Sequence, residues 1–318
     1  MTDKKIVFLG TPAISSYLLE EMIKMGFNIV AVVTKEDKPV GRKMVMTESP
    51  VASVARKYNI PCYKPHRLNK DHDWLYELKP DLLLTFAYGQ IISTEVLGLC
   101  KYKPLNLHAS LLPKYRGAAP IQYCLRNGDK ETGISLMEMV KEMDAGDVYA
   151  VEKINIEEDD NYTSLCDKLQ RLAVTMASKY LPLYFENKLE PVKQDESLVS
   201  FCPSIKKDQE KLILDQTPEM FVNQVRALSE TPGGYLMYND EKLKIYKASV
   251  NDDTVEHEVG TVIKAKKREI ILQLSKGTVK LLRLQRPGKK ILEAIDFNNG
   301  NGNLEGSILR WVETSQTI

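Results

Sequence analysis

From Ile6 to Phe86, short apolar runs alternate with stretches whose apolar residues recur at helical spacing, and this alternation leaves the chain few folds to adopt. Ile6 to Leu9 reads as a buried strand that stops at Gly10, and Ile14, Leu18, Met22 and Met25 then follow at helical intervals. Phe27 to Val33 is the next strand. A loop with Pro39, Gly41 and Pro50 leads to a helix near Val51 to Tyr58, and Pro61-Cys62-Tyr63 and Asp81 to Phe86 add extended segments around a further helical stretch. Strands alternating with helices predict an α/β fold with a parallel, doubly wound, Rossmann-like sheet.

The pattern continues with a strand and its polar exit over Pro104 to Leu112, a helix over Ala118 to Asn127, and paired strands over Gly133 to Val140 and Val148 to Ile156. A long helix from about Tyr162 to Glu186 closes this unit. Between Leu189 and Lys207 the periodicity fades into polar residues and prolines, as in an interdomain linker. The expected division is therefore a catalytic domain over 1–189, a linker over 190–207 and a second domain over 208–318. In the second domain a helix over Thr217 to Ser229 precedes short strands at Tyr235 to Tyr238, Leu243 to Val250, Gly260 to Lys264, Ile270 to Leu274 and Val279 to Leu284. That near-regular spacing predicts a small closed, OB-like β-barrel.

A chain of 318 residues is long enough for two cores, and none of its apolar runs approaches the roughly 20 residues that span a bilayer. The opening Met1-Thr2-Asp3-Lys4-Lys5 enters a short strand without an apolar signal segment, so a cytoplasmic protein with no membrane partner is expected, with a monomer as its simplest state. Five cysteines without CxxC spacing suit neither a disulfide framework nor a zinc site, and no metal is expected. A net charge of +1 argues against indiscriminate nucleic-acid coating. It leaves room for a local basic face. Lys264, Lys266, Lys267, Arg268, Lys276, Lys280, Arg283, Arg286, Lys289 and Lys290 stand against the single acid Glu269 between Gly260 and Lys290. Such a run fits a phosphate-binding surface, and equally a solvated sheet face.

The most informative segment is Asn106-Leu107-His108-Ala109-Ser110-Leu111-Leu112-Pro113-Lys114-Tyr115-Arg116-Gly117. On a strand, Asn106 and His108 share a face, so an amide and an imidazole project together at a strand's C-terminal end. Taken alone, a histidine in that place is as readily a satisfied structural residue. A second polar cluster, Met143-Asp144-Ala145-Gly146-Asp147, reads as a tight turn whose acids could reach the imidazole. Together the clusters offer an amide donor, a titratable base and an orienting carboxylate, the set that acyl transfer to an amine requires.

These residues resemble the tetrahydrofolate-dependent formyltransferases. The resemblance implies that Asn106, His108 and Asp144 form the catalytic triad, that Ser110, Leu111, Leu112 and Pro113 border the folate, and that Phe86, Tyr88, Gly89 and Ile91 wall its pterin pocket. The implied co-substrate is 10-formyltetrahydrofolate. Phe8-Leu9-Gly10-Thr11-Pro12, Gly117-Ala118-Ala119-Pro120-Ile121-Gln122 and Asp37-Lys38-Pro39-Val40-Gly41-Arg42-Lys43 are similar to the branch that formylates methionyl initiator tRNA. That likeness implies tRNA contact by Arg42 and Lys43, and by Lys266, Lys267, Arg268, Lys289 and Lys290 in the second domain. Gln216 departs from the pattern, since relatives often carry tryptophan beside the position of Asp215. Two rival readings are a formyltransferase acting on a nucleotide-linked amino sugar and a nucleic-acid-binding module that has lost its chemistry. The Ala118 to Gln122 segment and the basic run weigh against the first, and the complete Asn106, His108 and Asp144 set against the second.

Overall fold

The structure is a computed structural model and describes residues 3–41, 43–300 and 304–311. Two compact units emerge: one from the described residues of 1–120, 131–155 and 166–203, the other from those of 121–130, 156–165 and 204–318. They exchange chain. Two short insertions from the first half of the sequence belong to the second unit, which no linear boundary expresses.

In the first unit the elements are β1 (Ile6–Gly10), α1 (Ala13–Lys24), β2 (Ile29–Val33), β3 (Lys38–Val40), β4 (Val45–Thr47), α2 (Pro50–Lys57), β5 (Cys62–Tyr63), α3 (Asp73–Leu78), β6 (Leu82–Phe86), α4 (Thr94–Leu97), β7 (Leu105–His108) and β8 (Arg116–Gly117). After α5 (Pro120–Asn127), nearly all of which belongs to the second unit, come β9 (Glu131–Glu138), β10 (Val148–Asn155), α6 (Tyr162–Phe185) and β11 (Phe201–Cys202). The main sheet has the order β10-β9-β7-β6-β1-β2-β5. Strands β5, β2, β1, β6 and β7 are parallel, while β9 and β10 run antiparallel at one edge, so the sheet is mixed rather than wholly parallel as expected. The loop from Met139 to Asp147 is too short for a crossover and forces β9 and β10 into a hairpin.

Every residue of β1 and β6 is buried, because helices cover both sheet faces and a central strand then reads as a continuous apolar run. Val7, Leu9, Ala31, Val33 and Leu83 face one core with Leu75 of α3 and Val96 and Leu97 of α4. Helix starts follow local chemistry: Ser49 caps α2 by accepting from the Ala52 N–H at 3.0 Å, with Pro50 at its first position.

The second unit adds α7 (Pro218–Leu228), β12 (Gly234–Tyr238), β13 (Glu241–Asp252), β14 (Val262–Lys266), β15 (Glu269–Leu274), β16 (Gly277–Gln285), β17 (Leu292–Glu293) and α8 (Ala294–Gly300). Its antiparallel order is β12-β13-β16-β15-β14, with β17 on β16, and this ladder does not close into the expected barrel. The edges β12 and β14 do not pair. Instead residues 307–310 bond to both margins, through Met237 with Arg310 and Thr261 with Ile308. Phe221, Val225 and Leu228 of α7 pack into the core with Ile245, Leu272, Leu281 and Phe297. Gln216 is buried, and its side-chain amide donates to the Ile213 carbonyl (2.7 Å) and to Gln224 (3.0 Å). A polar network therefore fills that corner, with Gln224 Oε1 accepting from both Gln216 and the Ile213 N–H.

Candidate active site

Strands β6 and β7 pair in parallel through Leu84 with Leu105 and Thr85 with Asn106, so the segments after Phe86 and after His108 leave the sheet side by side at its C-terminal end. Open α/β sheets form their sites there.

His108 is 6% exposed at the end of β7. Its Nε2 lies 2.7 Å from the Tyr115 carbonyl. A carbonyl only accepts, which places the hydrogen on Nε2 and leaves Nδ1 as the nitrogen that can take up a proton. Nδ1 stands 3.6 Å from Asp144 Oδ2. Asp144 sits in the turn between β9 and β10 with a left-handed φ of 51°, which a short polar side chain tolerates better than most. Its Oδ2 accepts the Gly117 N–H at 2.8 Å, and its Oδ1 faces Asn106 Nδ2 at 3.4 Å. Asn106 and His108, two residues apart on β7, thus both face the carboxylate of Asp144, which lies 36 or more positions further along the chain.

Two glycines shape this geometry. Gly117 has φ of 126°, and a Cβ there would stand 2.7 Å from the Cys202 carbonyl oxygen. At Gly146 a Cβ would stand 2.0 Å from the Glu138 carbonyl oxygen, so only glycine lets the Asp144 turn lie against β9.

Ser110 is buried and turned inward: its hydroxyl donates to the Lys114 carbonyl (2.7 Å), and its carbonyl accepts from Ser135 (2.8 Å), whose hydroxyl oxygen in turn accepts the Leu112 N–H (3.1 Å). The loop is thereby braced on β9, leaving Leu111, Leu112 and Pro113 partly exposed. In the neighbouring segment Phe86 and Tyr88 are packed away, and burial pushes the Tyr88 hydroxyl well above the ordinary phenol range. What this segment offers at the surface is Gly89, with φ of 79°, and Ile91, 72% exposed.

Arg42 lies outside the described residues. Lys43 is exposed beside the β3–β4 hairpin, whose Val40, Met44, Val45 and Met46 are also exposed. In the second unit Lys266, Lys267 and Arg268 are exposed around the β14–β15 turn, and Lys289 and Lys290 are exposed after β16. Ile271 pairs with Lys280 in antiparallel register, so the start of β15 lies beside the C-terminal half of β16 and the two clusters share one end of the sheet. Two other cations of the run have acidic partners: Lys264 pairs with Glu269, and Arg283 with Glu230 (2.8 Å) and Glu293 (3.4 Å).

The expected linker contributes to the site. Phe201 and Cys202 form β11, paired in parallel with Arg116 and Gly117 of β8. Ser200 accepts the Tyr115 N–H through Oγ (2.9 Å) and the Arg116 N–H through its carbonyl (2.8 Å). Burial pushes the Cys202 thiol up to about 11, keeping it a neutral donor, and it reaches the same Tyr115 carbonyl that His108 bonds, at 3.1 Å. No periodicity marks residues 194–202, because a two-residue strand on a loop carries no amphipathic signal. The run is polar because most of it stays exposed, Cys202 alone being buried.

A Rossmann-like sheet that presents amide, imidazole and carboxylate together at its C-terminal end defines an acyl-transfer site. Residues 4–181 match the family model described as formyl transferase, and residues 204–302 match the formyl transferase C-terminal domain. A methionyl-tRNA formyltransferase of Lactobacillus johnsonii is 41% identical over 300 residues, covering 94% of this chain and 96% of its own. One from Malacoplasma penetrans is 40% identical over 303 residues, covering 95% of each. The chain belongs to the formyl transferase family, on its methionyl-tRNA formyltransferase branch. Among solved structures, an N-formyltransferase from Helicobacter canadensis, in complex with folinic acid and dTDP-3-aminofucose, is similar at TM-score 0.67 and 20% identity, covering 90% of this chain and 100% of its own. HypX from Aquifex aeolicus in complex with tetrahydrofolic acid gives TM-score 0.63 at 18% identity, over 94% of this chain and 48% of its own. At such identities these two share the fold.

Proposed function

We propose that this enzyme transfers the formyl group of 10-formyltetrahydrofolate to the α-amino group of methionyl initiator tRNA. The observation that carries the reading is the convergence of Asn106, His108 and Asp144 at the C-terminal end of the sheet, in a chain 41% identical to a methionyl-tRNA formyltransferase.

The folate's fit rests on two loops from adjacent strands: Leu111, Leu112 and Pro113 on one, Gly89 and Ile91 on the other, a partly apolar pair of walls suited to a flat heteroaromatic ring. Bound there, it supplies the formyl group. The residues of the chain do the rest. His108 Nδ1 takes the proton that the attacking amine must lose, because Nε2 is already committed to Tyr115, and the imidazolium gives a proton back to the folate nitrogen as its bond to the formyl carbon breaks. Asn106 turns its amide from the long Asp144 contact toward the oxygen that gains negative charge. Asp144 Oδ2 stands 3.6 Å from Nδ1 and stabilises the imidazolium once Nδ1 carries the proton, while the Gly117 N–H fixes the carboxylate in place. No covalent bond to the protein is required.

In this reading residues 1–189 are the catalytic domain, 190–207 join the domains, and 208–318, an open antiparallel sheet whose two margins residues 307–310 bridge, contact tRNA. Arg42 and Lys43 reach the acceptor end, while Lys266, Lys267, Arg268, Lys289 and Lys290 meet phosphates. The enzyme works in the cytoplasm as a monomer; among the described residues no helix is long and apolar enough to cross a membrane.

The test is formyl transfer from 10-formyltetrahydrofolate with charged initiator Met-tRNA and a nucleotide-linked amino sugar offered separately. Product on the tRNA alone supports the reading, and product on the sugar alone moves the enzyme to the other acceptor. The basic cluster makes a second expectation: the logarithm of tRNA affinity should fall linearly with the logarithm of salt, while folate affinity stays nearly flat. Changing Lys266 and Lys267 together to alanine should reduce the tRNA slope by about 1–2. An unchanged slope would remove these lysines from the interface.

A further inference from the structure

The segment that precedes β11 places a second glutamine-centred network against the Asp144 turn. Gln194 Nε2 donates to the Asp144 carbonyl and to the Gly146 carbonyl, each at 2.8 Å, so both amide hydrogens are used. Gln194 Oε1 accepts from Arg116 Nε at 3.0 Å. Arg116 is 4% exposed, and its far edge is gripped by both oxygens of Glu196, at 3.2 and 2.7 Å. The amide's orientation is fixed by this set: a guanidinium can only donate and the two carbonyls can only accept. Arg116 is followed by Gly117, whose N–H holds the Asp144 carboxylate at 2.8 Å. The adjacent residues Arg116 and Gly117 thus govern both ends of Asp144, its backbone through Gln194 and its carboxylate directly.

We infer that Gln194 is a positioning residue for formyl transfer: held by the Arg116–Glu196 pair, it keeps the left-handed Asp144 turn in the one conformation that sets the carboxylate against His108. The inference rests on Asp144 stabilising the protonated form of the catalytic imidazole. Gln194 touches neither His108 nor any reacting group, and it acts through two backbone carbonyls. Without it, those carbonyls lose their donor and the φ of 51° at Asp144 loses its brace. The carboxylate then samples positions away from Nδ1, and a displacement of about 1 Å in a catalytic group is enough to cost about a hundredfold in rate.

The decisive variant is Gln194→Glu, which keeps the side chain's size but places a second acceptor opposite the two carbonyls while leaving Arg116 a partner. Single-turnover formylation by the full-length enzyme would be measured for wild type, Q194E, D144N and the double variant, with thermal unfolding of each. The expected result is a fall of about 10- to 100-fold in the rate constant for Q194E, KM values for both substrates within about threefold of wild type, and little further loss when Q194E is added to D144N. Glu196→Gln, which retains one acceptor for Arg116, should recover most of the wild-type rate. If D144N loses activity but Q194E turns over like wild type, the positioning role falls and the catalytic reading stands. Additive losses in the double variant also overturn it, since Gln194 would then act elsewhere. Full activity in D144N would overturn the reading of Asp144 itself. A Q194E melting point that collapses together with a raised KM would reduce Gln194 to a residue of the fold.

Discussion

His108→Ala is expected to lower kcat for formyl transfer by about 10²–10⁴-fold while KM for folate and for tRNA moves by no more than a few fold, the pattern of a lost general base rather than lost binding. The loop that His108 bonds should survive the change. Tyr115 keeps its N–H on Ser200 at 2.9 Å, and its carbonyl keeps the Cys202 thiol at 3.1 Å, so these anchors remain. Steady-state kinetics with both substrates varied, alongside a melting curve, checks this. A loss below about tenfold would mean that solvent or another side chain takes the proton, and the imidazole at the end of β7 would become a structural residue.

Gly146→Ala is the second large effect, and it should strike stability and rate together. The added Cβ would stand 2.0 Å from the Glu138 carbonyl oxygen and 2.8 Å from its carbon, and both neighbours are backbone that cannot swing aside. The hairpin must open at the point where Glu138 N–H bonds the Asp147 carbonyl at 2.9 Å. We expect a cost of about 1–3 kcal/mol in stability and a fall of more than about 100-fold in rate, because Asp144 lies two residues away in the turn that has to move. Gly300→Ala is the control: its Cβ would meet nothing within 4 Å, and it should leave both quantities near wild type. Equal, small effects at the two glycines would show that the Asp144 turn tolerates displacement and that its geometry does not set the rate.

Much of the architecture was legible because it is written in local periodicity. Helix α6 spans Tyr162–Phe185 against an expectation of about 162–186, and β12, β13, β15 and β16 overlap their expected ranges closely. Apolar residues repeat every 3.6 or every two positions only when one face is buried over several turns or strand residues. Where elements are too short to carry a period, the sequence was silent. The hairpin β3–β4 falls in the expected loop and β11 in the expected linker, while β8 and β17 leave no pattern at all, for that reason.

For the site, the sequence by itself determined the groups: an amide and an imidazole two residues apart on a strand, and an Asp-Ala-Gly-Asp turn beyond the next helix and strand. Strand alternation placed Asn106 and His108 on one face without further information. Only the tertiary structure decided which carboxylate oxygen meets which nitrogen, and that Nε2 is spent on Tyr115 so that Nδ1 faces Asp144 at 3.6 Å. It also decided that the stretch read as a linker supplies Gln194, Ser200 and Cys202 to the catalytic loop, and that residues 307–310, and not a strand ladder, bridge the margins of the second sheet. These are contacts between residues tens of positions apart. Their energy comes from backbone groups pairing across the fold, every residue carries such groups, and so no side-chain pattern announces where they will meet.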